Sequence, residues 1–265
     1  MKKYLVLGNP IDHSISPKIH NYWFRQNKIF ANYEKKNILE DQLEIIIGRL
    51  RNKEIDGANI TVPFKEKIIP FVDMLSPEAE ETKSVNTLYL SENKVIGHNT
   101  DIDGFYFSLK ENNLDFKDKS ALILGSGGVT PSIIMALKKL GIKKITISNR
   151  TKDKALKLKD RYKFLEIIEW EETIKANLII NATSLGLNDT DIINLDLEQI
   201  EKDSFFYDVI YNPKRTNFLK KAFRKGFSIQ NGLMMLIYQA AEAFKVWHKI
   251  VPQIDKNLIE FLDND

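Results

Sequence analysis

No cysteine occurs among the 265 residues. Disulfides and thiolate metal sites are thereby excluded, and a cytoplasmic setting is the expectation. No apolar stretch approaches the roughly 20 residues that a membrane-crossing helix needs. The N-terminal apolar run is too short for a signal peptide and meets Asn9-Pro10 and Asp12 at once, so residues 4–8 read as a first β-strand. There is no internal repeat and no low-complexity linker. The four histidines, His13, His20, His98 and His248, show no metal-ligand spacing, so neither a metal nor a catalytic histidine is expected. An excess of one charge is also missing. The formal net charge is +3, with lysines scattered beside glutamates, which describes a solvated surface rather than a nucleic-acid interface.

What remains is an ordinary globular composition, 43% hydrophobic and 28% charged, in a chain long enough for one large domain or two modest ones. Strand and helix alternate in the first hundred residues. Ser16-Pro17 starts a helix, with Ser as N-cap and Pro at the first helical position. Leu39, Leu43, Ile46, Ile47 and Leu50 recur at helical spacing. Residues 56–61 read as a strand, Pro63 opens a helix through Ile69, and Ser76-Pro77 opens another. Residues 86–90 and 94–97 pair as a hairpin. Asp101 stands where the helix of residues 102–112 needs a cap.

The second half differs. Ser120-Ala121-Leu122-Ile123-Leu124 is a continuous apolar run, as expected of a strand buried on both faces. Residues 145–148, 164–168, 178–181 and 205–210 are further strands, with helical patterns between several of them, and residues 152–163 alternate like an amphipathic helix. This half reads as a doubly wound parallel sheet. The last stretch, residues 233–261, reads as helical throughout. The expected fold is α/β with two domains: residues 1–102, completed by C-terminal helices over residues 238–265, and residues 103–237.

Gly125-Ser126-Gly127-Gly128-Val129-Thr130 lies between a strand and a helix, the setting of a pyrophosphate loop. Glycines let the backbone turn tightly and approach phosphates, and a helix N-terminus offers free N–H groups and a positive dipole end. Thr130 replaces the third fingerprint glycine, so the loop alone is equally a tight turn. The second strand sharpens the reading. An NAD site wants an acid at its tip for the ribose 2′-hydroxyl. Here Asn149-Arg150-Thr151 follows, with no acid. Arg150 suits a 2′-phosphate or an adenine face, and Thr151 and Lys154 add hydrogen bonds and charge. The bland alternative for Arg150 is a surface residue opening a helix. Loop and strand tip together favour NADP.

Lys65 falls in the first turn of the helix expected from Pro63. A cation there opposes the helix dipole, at about 0.3–1 kcal/mol when exposed. A lysine so placed suits proton transfer to or from a substrate oxygen. The alternative is a surface lysine like Lys67. Asp101 is a candidate partner for it, with helix capping as its alternative. Ser14 and Ser16, beside a helix start, suit a small carboxylate. Asn86, Thr87, Asn99 and Gln239 are neutral groups able to read hydroxyls.

Together these segments resemble the shikimate dehydrogenase family along nearly the whole chain. The likeness includes Gly8-Asn9-Pro10-Ile11 with His13-Ser14-Ile15-Ser16-Pro17, and Asn59-Ile60-Thr61-Val62-Pro63-Phe64-Lys65. It continues through Val85-Asn86-Thr87, Asn99-Thr100-Asp101, the glycine loop and Asn149-Arg150-Thr151. It ends with Asn181-Ala182-Thr183-Ser184, Asp208 with Tyr211, Asn231-Gly232-Leu233 and Gln239-Ala240-Ala241. The resemblance implies NADPH-linked, reversible reduction of 3-dehydroshikimate to shikimate in aromatic amino-acid biosynthesis. It implies a substrate domain beside a Rossmann-like NADP domain. Ser14 and Ser16 would hold the substrate carboxylate. Thr61, Lys65, Asn86, Asp101 and Gln239 would hold the ring hydroxyls, with Lys65 and Asp101 catalytic and Tyr211 near the substrate. Gly125, Ser126, Gly127, Gly128 and Val129 would hold the pyrophosphate. Asn149, Arg150, Thr151 and Lys154 would hold the adenosine phosphate, and Gly232 would lie near the nicotinamide.

Some positions depart from the family pattern. Ser126 and Val129 stand where alanines are usual, and Lys154 where a second arginine is common. A lysine there gives point charge without a bidentate fork. The expected partners are small molecules only, in a monomer or homodimer. Rival readings are an NAD-dependent quinate/shikimate dehydrogenase, a non-catalytic binder of shikimate or dinucleotide, and a methylene-tetrahydrofolate dehydrogenase. The Ser14/Ser16 loop and Asn86 suit a small polar acid better than a folate.

Overall fold

The computed structural model describes residues 1–263. In chain order it runs β1 (Lys2–Gly8), α1 (Ser16–Gln26), β2 (Ala31–Asn37), α2 (Leu43–Arg51), β3 (Gly57–Ile60), β4 (Met74–Leu75), α3 (Pro77–Thr82), β5 (Thr87–Ser91), β6 (Lys94–His98) and α4 (Asp101–Lys110). It continues with β7 (Ser120–Leu124), α5 (Thr130–Lys139), β8 (Lys144–Ser148), α6 (Lys152–Arg161), β9 (Glu166–Ile168), β10 (Leu178–Asn181), β11 (Phe205–Asp208), α7 (Asn217–Arg224), β12 (Ser228–Gln230), α8 (Leu233–His248) and α9 (Lys256–Asp263). The chain forms two compact units. Unit 1 is Met1–Gly104 with the chain from Leu236 onward; unit 2 is Phe105–Met235. No helix among the described residues is long and apolar enough to cross a membrane.

Unit 1 is built on a mixed six-stranded sheet of order β2-β1-β3-β5-β6-β4. β1 runs parallel to β2 and β3, whereas β5 is antiparallel to both β3 and β6. Leu7 is opposite Ile60, Asn59 opposite Thr87, and Thr87 opposite His98. That register gathers the ends of β1, β3 and β6 and the start of β5 at one edge. Side chains alternate between the faces. Leu5, Leu7, Ala58, Ile60 and Leu88 join Leu43, Ile46, Ile47 and Leu50 of α2 in one core. Truncating one of these large side chains to Ala costs about 2–5 kcal/mol. Tyr4 and Tyr33 face an aromatic layer from α1 and α8, in which Tyr4 lies 4.8 Å from Trp247 and Phe244 lies 5.6 Å from Trp23.

Several expectations need correction here. Residues 63–69 do not form the expected helix. Phe64 closes on Thr61 and Ile68 on Phe64, but the Lys65 carbonyl accepts from Val85 N–H, which ties this segment to the chain entering β5. A short 3-10 turn, Ile69–Phe71, is all that follows. Ser16 is the first residue of α1 rather than its cap, and Ile15 precedes it without a side-chain cap bond. β2 escaped the sequence reading because Ala-Asn-Tyr-Glu-Lys-Lys-Asn buries Tyr33 alone, as an edge strand can. The C-terminal stretch is not continuously helical. Lys249 turns left-handed (φ 59°), Pro252 follows, and α9 resumes only at Lys256.

Unit 2 carries an all-parallel sheet of order β12-β11-β10-β7-β8-β9. From β7 the chain winds outward through β8 and β9, then returns to β10 on the other side. This is the doubly wound arrangement, whose binding crevice lies beyond the carboxyl ends of the central strands. Residues 121–124 and 178–180 are fully buried, as strands covered on both faces must be. Phe206 packs against Phe218 and Phe227 at 5.4 and 4.8 Å.

Candidate active site

The gathered edge of unit 1 concentrates polar side chains. Lys65 Nζ and an Asp101 carboxylate oxygen (Oδ2) are 2.5 Å apart, and the two side chains are only 12% and 7% exposed. Breaking such a buried pair from one side costs about 3–5 kcal/mol, because a charge is left without its partner. The other Asp101 oxygen accepts from Asn86 Nδ2 at 2.9 Å. Asn86 Nδ2 also reaches Thr100 Oγ1 at 3.0 Å and Gln239 Oε1 of α8 at 3.3 Å. Lys65, Asp101, Asn86 and Gln239, four of the sequence candidates, are thus in one hydrogen-bonded cluster.

Asp101 does not cap the helix it begins. Its N–H donates to Asn99 Oδ1 at 2.9 Å, so Asn99 does the capping. Asn99 is itself fixed by donating to Ser84 O and Thr82 Oγ1. The Asp101 carboxylate is therefore given over to Lys65 and Asn86. Thr61 stands at the same edge, its N–H on Leu7 O at 2.9 Å. Ser14 lies on the adjoining loop after β1 and Ser16 opens α1, with the Ser16 N–H donating to Ser14 Oγ at 3.4 Å. Tyr211 belongs to unit 2. Sequence reasoning gave no role to Tyr33 or Asn59, although both are buried polar groups joined at 2.7 Å. The signal for Asn59 was available: an amide inside the short buried strand Gly-Ala-Asn-Ile needs a partner.

In unit 2 the glycine loop follows β7 and opens α5. Gly125 takes φ +108°, and a Cβ there would sit 3.0 Å from the Ala182 backbone. This glycine is required by the fold. Gly127 and Gly128 are different. A Cβ at Gly127 would meet nothing nearer than Ala182 O at 4.0 Å, and at Gly128 nothing within 4 Å. Packing does not demand glycine at either, so these two residues leave open the space a close-approaching phosphate needs. At the start of α5, Thr130 N–H donates to Gly127 O at 3.0 Å and Ile133 N–H to Val129 O at 3.1 Å, while Pro131 has no N–H, so what the helix start offers an anion is chiefly its positive dipole end. The loop thus fits a pyrophosphate. Asn149, beyond β8, is tied to it: its Oδ1 accepts from Ser126 N at 3.0 Å. Arg150, Thr151 and Lys154 are exposed at the start of α6. Thr130, in place of the third glycine, is buried and donates to Gly125 O at 3.1 Å. Gly232 follows β12, and a Cβ there would lie 2.0 Å from Val209 O.

Asp208 ends β11 and is fully buried. It accepts from Thr216 Oγ1 at 2.6 Å, Ile210 N at 3.0 Å and Asn181 Nδ2 at 3.1 Å. Burial pushes its carboxyl up to about 6, against the pull of those donors. It holds the segments after β10 and β11 rather than facing a ligand.

Comparison with known proteins agrees with this layout. Residues 6–88 match the model of the shikimate dehydrogenase substrate binding domain, and residues 108–209 match that of shikimate / quinate 5-dehydrogenase. The shikimate dehydrogenase (NADP(+)) of Pelagibacter ubique is 56% identical over 262 residues, covering 99% of each chain. The crystal structure of shikimate dehydrogenase from Aquifex aeolicus superposes with a TM-score of 0.92 at 37% identity, over 100% of this chain and 98% of that one. That of shikimate 5-dehydrogenase from Thermus thermophilus, in complex with NADP(H) and shikimate, gives 0.91 at 32% identity, over 100% and 99%.

Proposed function

The chain belongs to the shikimate dehydrogenase family, and from that premise we propose that it reduces 3-dehydroshikimate to shikimate, reversibly, with NADPH. The observation that carries the reading is the buried Lys65–Asp101 pair bound to Asn86 and Gln239. Unit 1 then holds the substrate, with Ser14 and Ser16 on its carboxylate and Thr61, Asn86 and Gln239 on its hydroxyls. Unit 2 holds the cofactor through the residue 125–129 loop, Asn149, Arg150, Thr151 and Lys154, with Gly232 toward the nicotinamide.

When bound, NADPH supplies the hydride. Lys65 meets the negative charge developing on the carbonyl oxygen and supplies the proton that completes the hydroxyl. Asp101 orients the Lys65 ammonium and accepts from the neighbouring substrate hydroxyl. Asn86 holds Asp101 in place and leaves its acceptor oxygens aimed. Arg150 without a strand-tip acid favours the 2′-phosphate of NADP over the bare ribose of NAD. The proposal includes a cytoplasmic setting and a monomer or homodimer.

The test is NADP reduction followed at 340 nm with shikimate, repeated with quinate and with NAD. Shikimate with NADP should give the highest kcat/KM. Equal or better turnover of quinate with NAD moves the assignment to the quinate/shikimate reading, and no turnover at all supports a non-catalytic binder.

A further inference from the structure

Behind the Lys65–Asp101 pair runs a line of buried polar groups that the proposed reaction does not use. Tyr33 of β2 is 1% exposed, and its hydroxyl lies 2.7 Å from Asn59 Oδ1 of β3. Asn59 Nδ2 reaches Thr87 Oγ1 of β5 at 3.0 Å and Asn86 O at 3.0 Å. Thr87 Oγ1 is 3.0 Å from Asn86 Oδ1, and Asn86 Nδ2 is 2.9 Å from Asp101. Four consecutive bonds therefore lead from Tyr33 to the carboxylate that holds Lys65.

The direction of every bond is forced by groups that can act in one sense only. The Thr100 backbone N–H, an obligate donor, sits 2.8 Å from Asn86 Oδ1. That fixes the amide of Asn86 with its NH2 toward Asp101. The Asn86 backbone carbonyl, an obligate acceptor, fixes Asn59 with its NH2 toward β5, so Asn59 Oδ1 must accept from Tyr33. Asn86 Oδ1 can only accept, so Thr87 Oγ1, 3.0 Å away, donates to it. All the donors point the same way, from Tyr33 toward Asp101. Such aligned bonds polarise one another. The Tyr33 ring is itself held by His20, stacked at 4.3 Å and 4°.

We propose that Tyr33, Asn59 and Thr87 are positioning residues for the reaction: their one-way hydrogen-bond chain locks the Asn86 amide and thereby holds the Asp101 carboxylate on Lys65. The inference rests on the dehydrogenase reading of that pair. Breaking the chain takes one donor from Asn86 Oδ1 and leaves the amide on Thr100 alone, so the bond from Asn86 Nδ2 to Asp101 is held less tightly. Chemistry suffers while substrate affinity changes little.

Thr87 separates this role from packing. Thr87→Val keeps the shape and removes the hydroxyl; Thr87→Ser keeps the hydroxyl and removes a methyl group. Steady-state kinetics on the full chain, with shikimate and NADP, should show Thr87→Val losing about fivefold in kcat, with KM for shikimate within twofold. Thr87→Ser should recover most of that kcat despite its small cavity. Tyr33→Phe should lose a smaller factor, and the double variant Tyr33→Phe/Thr87→Val should fall no further than Thr87→Val alone, because one chain is broken once. Thermal melting of each variant accompanies the rates. A wild-type protein without shikimate turnover overturns the underlying reading. Active wild type with Thr87→Val unchanged, or with Thr87→Ser the worse of the two, overturns the chain.

Discussion

The two units handle buried polarity in opposite ways. Unit 1 places an ion pair, Lys65–Asp101, at a sheet edge and backs it with neutral side chains. Unit 2 turns its buried carboxylate, Asp208, inward to tie its own loops, and offers its glycine loop through backbone groups. On the proposed reading, side chains carry the chemistry of unit 1, and backbone shape makes room for the pyrophosphate in unit 2. That follows from their sheets. A mixed sheet brings strand starts and ends to a shared edge, where several short segments converge. A parallel sheet presents its carboxyl ends together at one edge, and from β7, β8, β11 and β12 the chain passes by a loop into a helix.

The largest effect that sharpens this contrast is expected from Asp101→Asn. It removes the carboxylate from Lys65 and should lower kcat about 100-fold or more, with NADP binding, read by fluorescence titration, unchanged. Loss of cofactor affinity instead would mean the two sites are not separable in this way.

Acid should also divide the units. His20 is fully buried, both its ring nitrogens lack a hydrogen-bond partner, and it lies among Trp23, Tyr33 and Trp247. Burial, with a smaller push from His248, depresses it from 6.5 to about 3. Burial likewise lowers His248 to about 4, with Lys2 adding to the shift and Asp56 opposing it. A depressed histidine contributes stability that is present above its unfolded value near 6.5 and lost as pH falls toward the folded value. The slope is about 1.4 kcal/mol per pH unit for each proton taken up. Hydrogen exchange in peptides of α1 and α8 should therefore accelerate between pH 6.5 and 4, and His20→Phe should flatten that dependence. An unchanged slope in His20→Phe would remove His20 from the account.

Asp208 works with the opposite sign. Its folded value is raised from 3.8 to about 6, so its contribution is full below 3.8 and is lost as pH rises through 6. Peptides around β10 and β11 should be better protected at pH 4 than at pH 7, by up to about 3 kcal/mol. Asp208→Asn should abolish the difference, unless the loss of its accepting oxygens unfolds the loops at every pH. Uniform loss of protection would assign Asp208 a hydrogen-bonding role without a titrating one.

The smallest effect belongs to Arg150. Arg150→Ala should raise KM for NADP about tenfold, the loss of one charge-assisted contact, and leave KM for NAD unaltered. Equal changes for both cofactors would deny Arg150 a part in reading the 2′-phosphate.

Unit 2 was the more legible in sequence. Its buried strands are continuous apolar runs, residues 178–181 coincide with β10, and the glycine loop falls between strand and helix as expected. Ser76 at α3 was also readable, because its side chain accepts from Ala79 N–H as an N-cap should. Unit 1 hid more, since its sheet is assembled from distant partners. β2 is too polar to read alone, and Tyr33 was lost with it. The helix expected from Pro63 fails because Val85, 20 residues on, claims the Lys65 carbonyl. Lys65 therefore does not sit in a helix first turn, while its pairing with Asp101 stands on geometry. Asp101 looked like a cap because the neighbour that caps, Asn99, does so through a bond to Asp101's own N–H.

The proposed mechanism has Lys65 act in the chemical step rather than in holding substrate. Its most direct test is the kcat and KM of Lys65→Met with shikimate and NADP. kcat should fall by about 100-fold or more while KM for shikimate stays nearly unchanged. A normal kcat with a large rise in KM would contradict it and leave Lys65 as a binding residue alone.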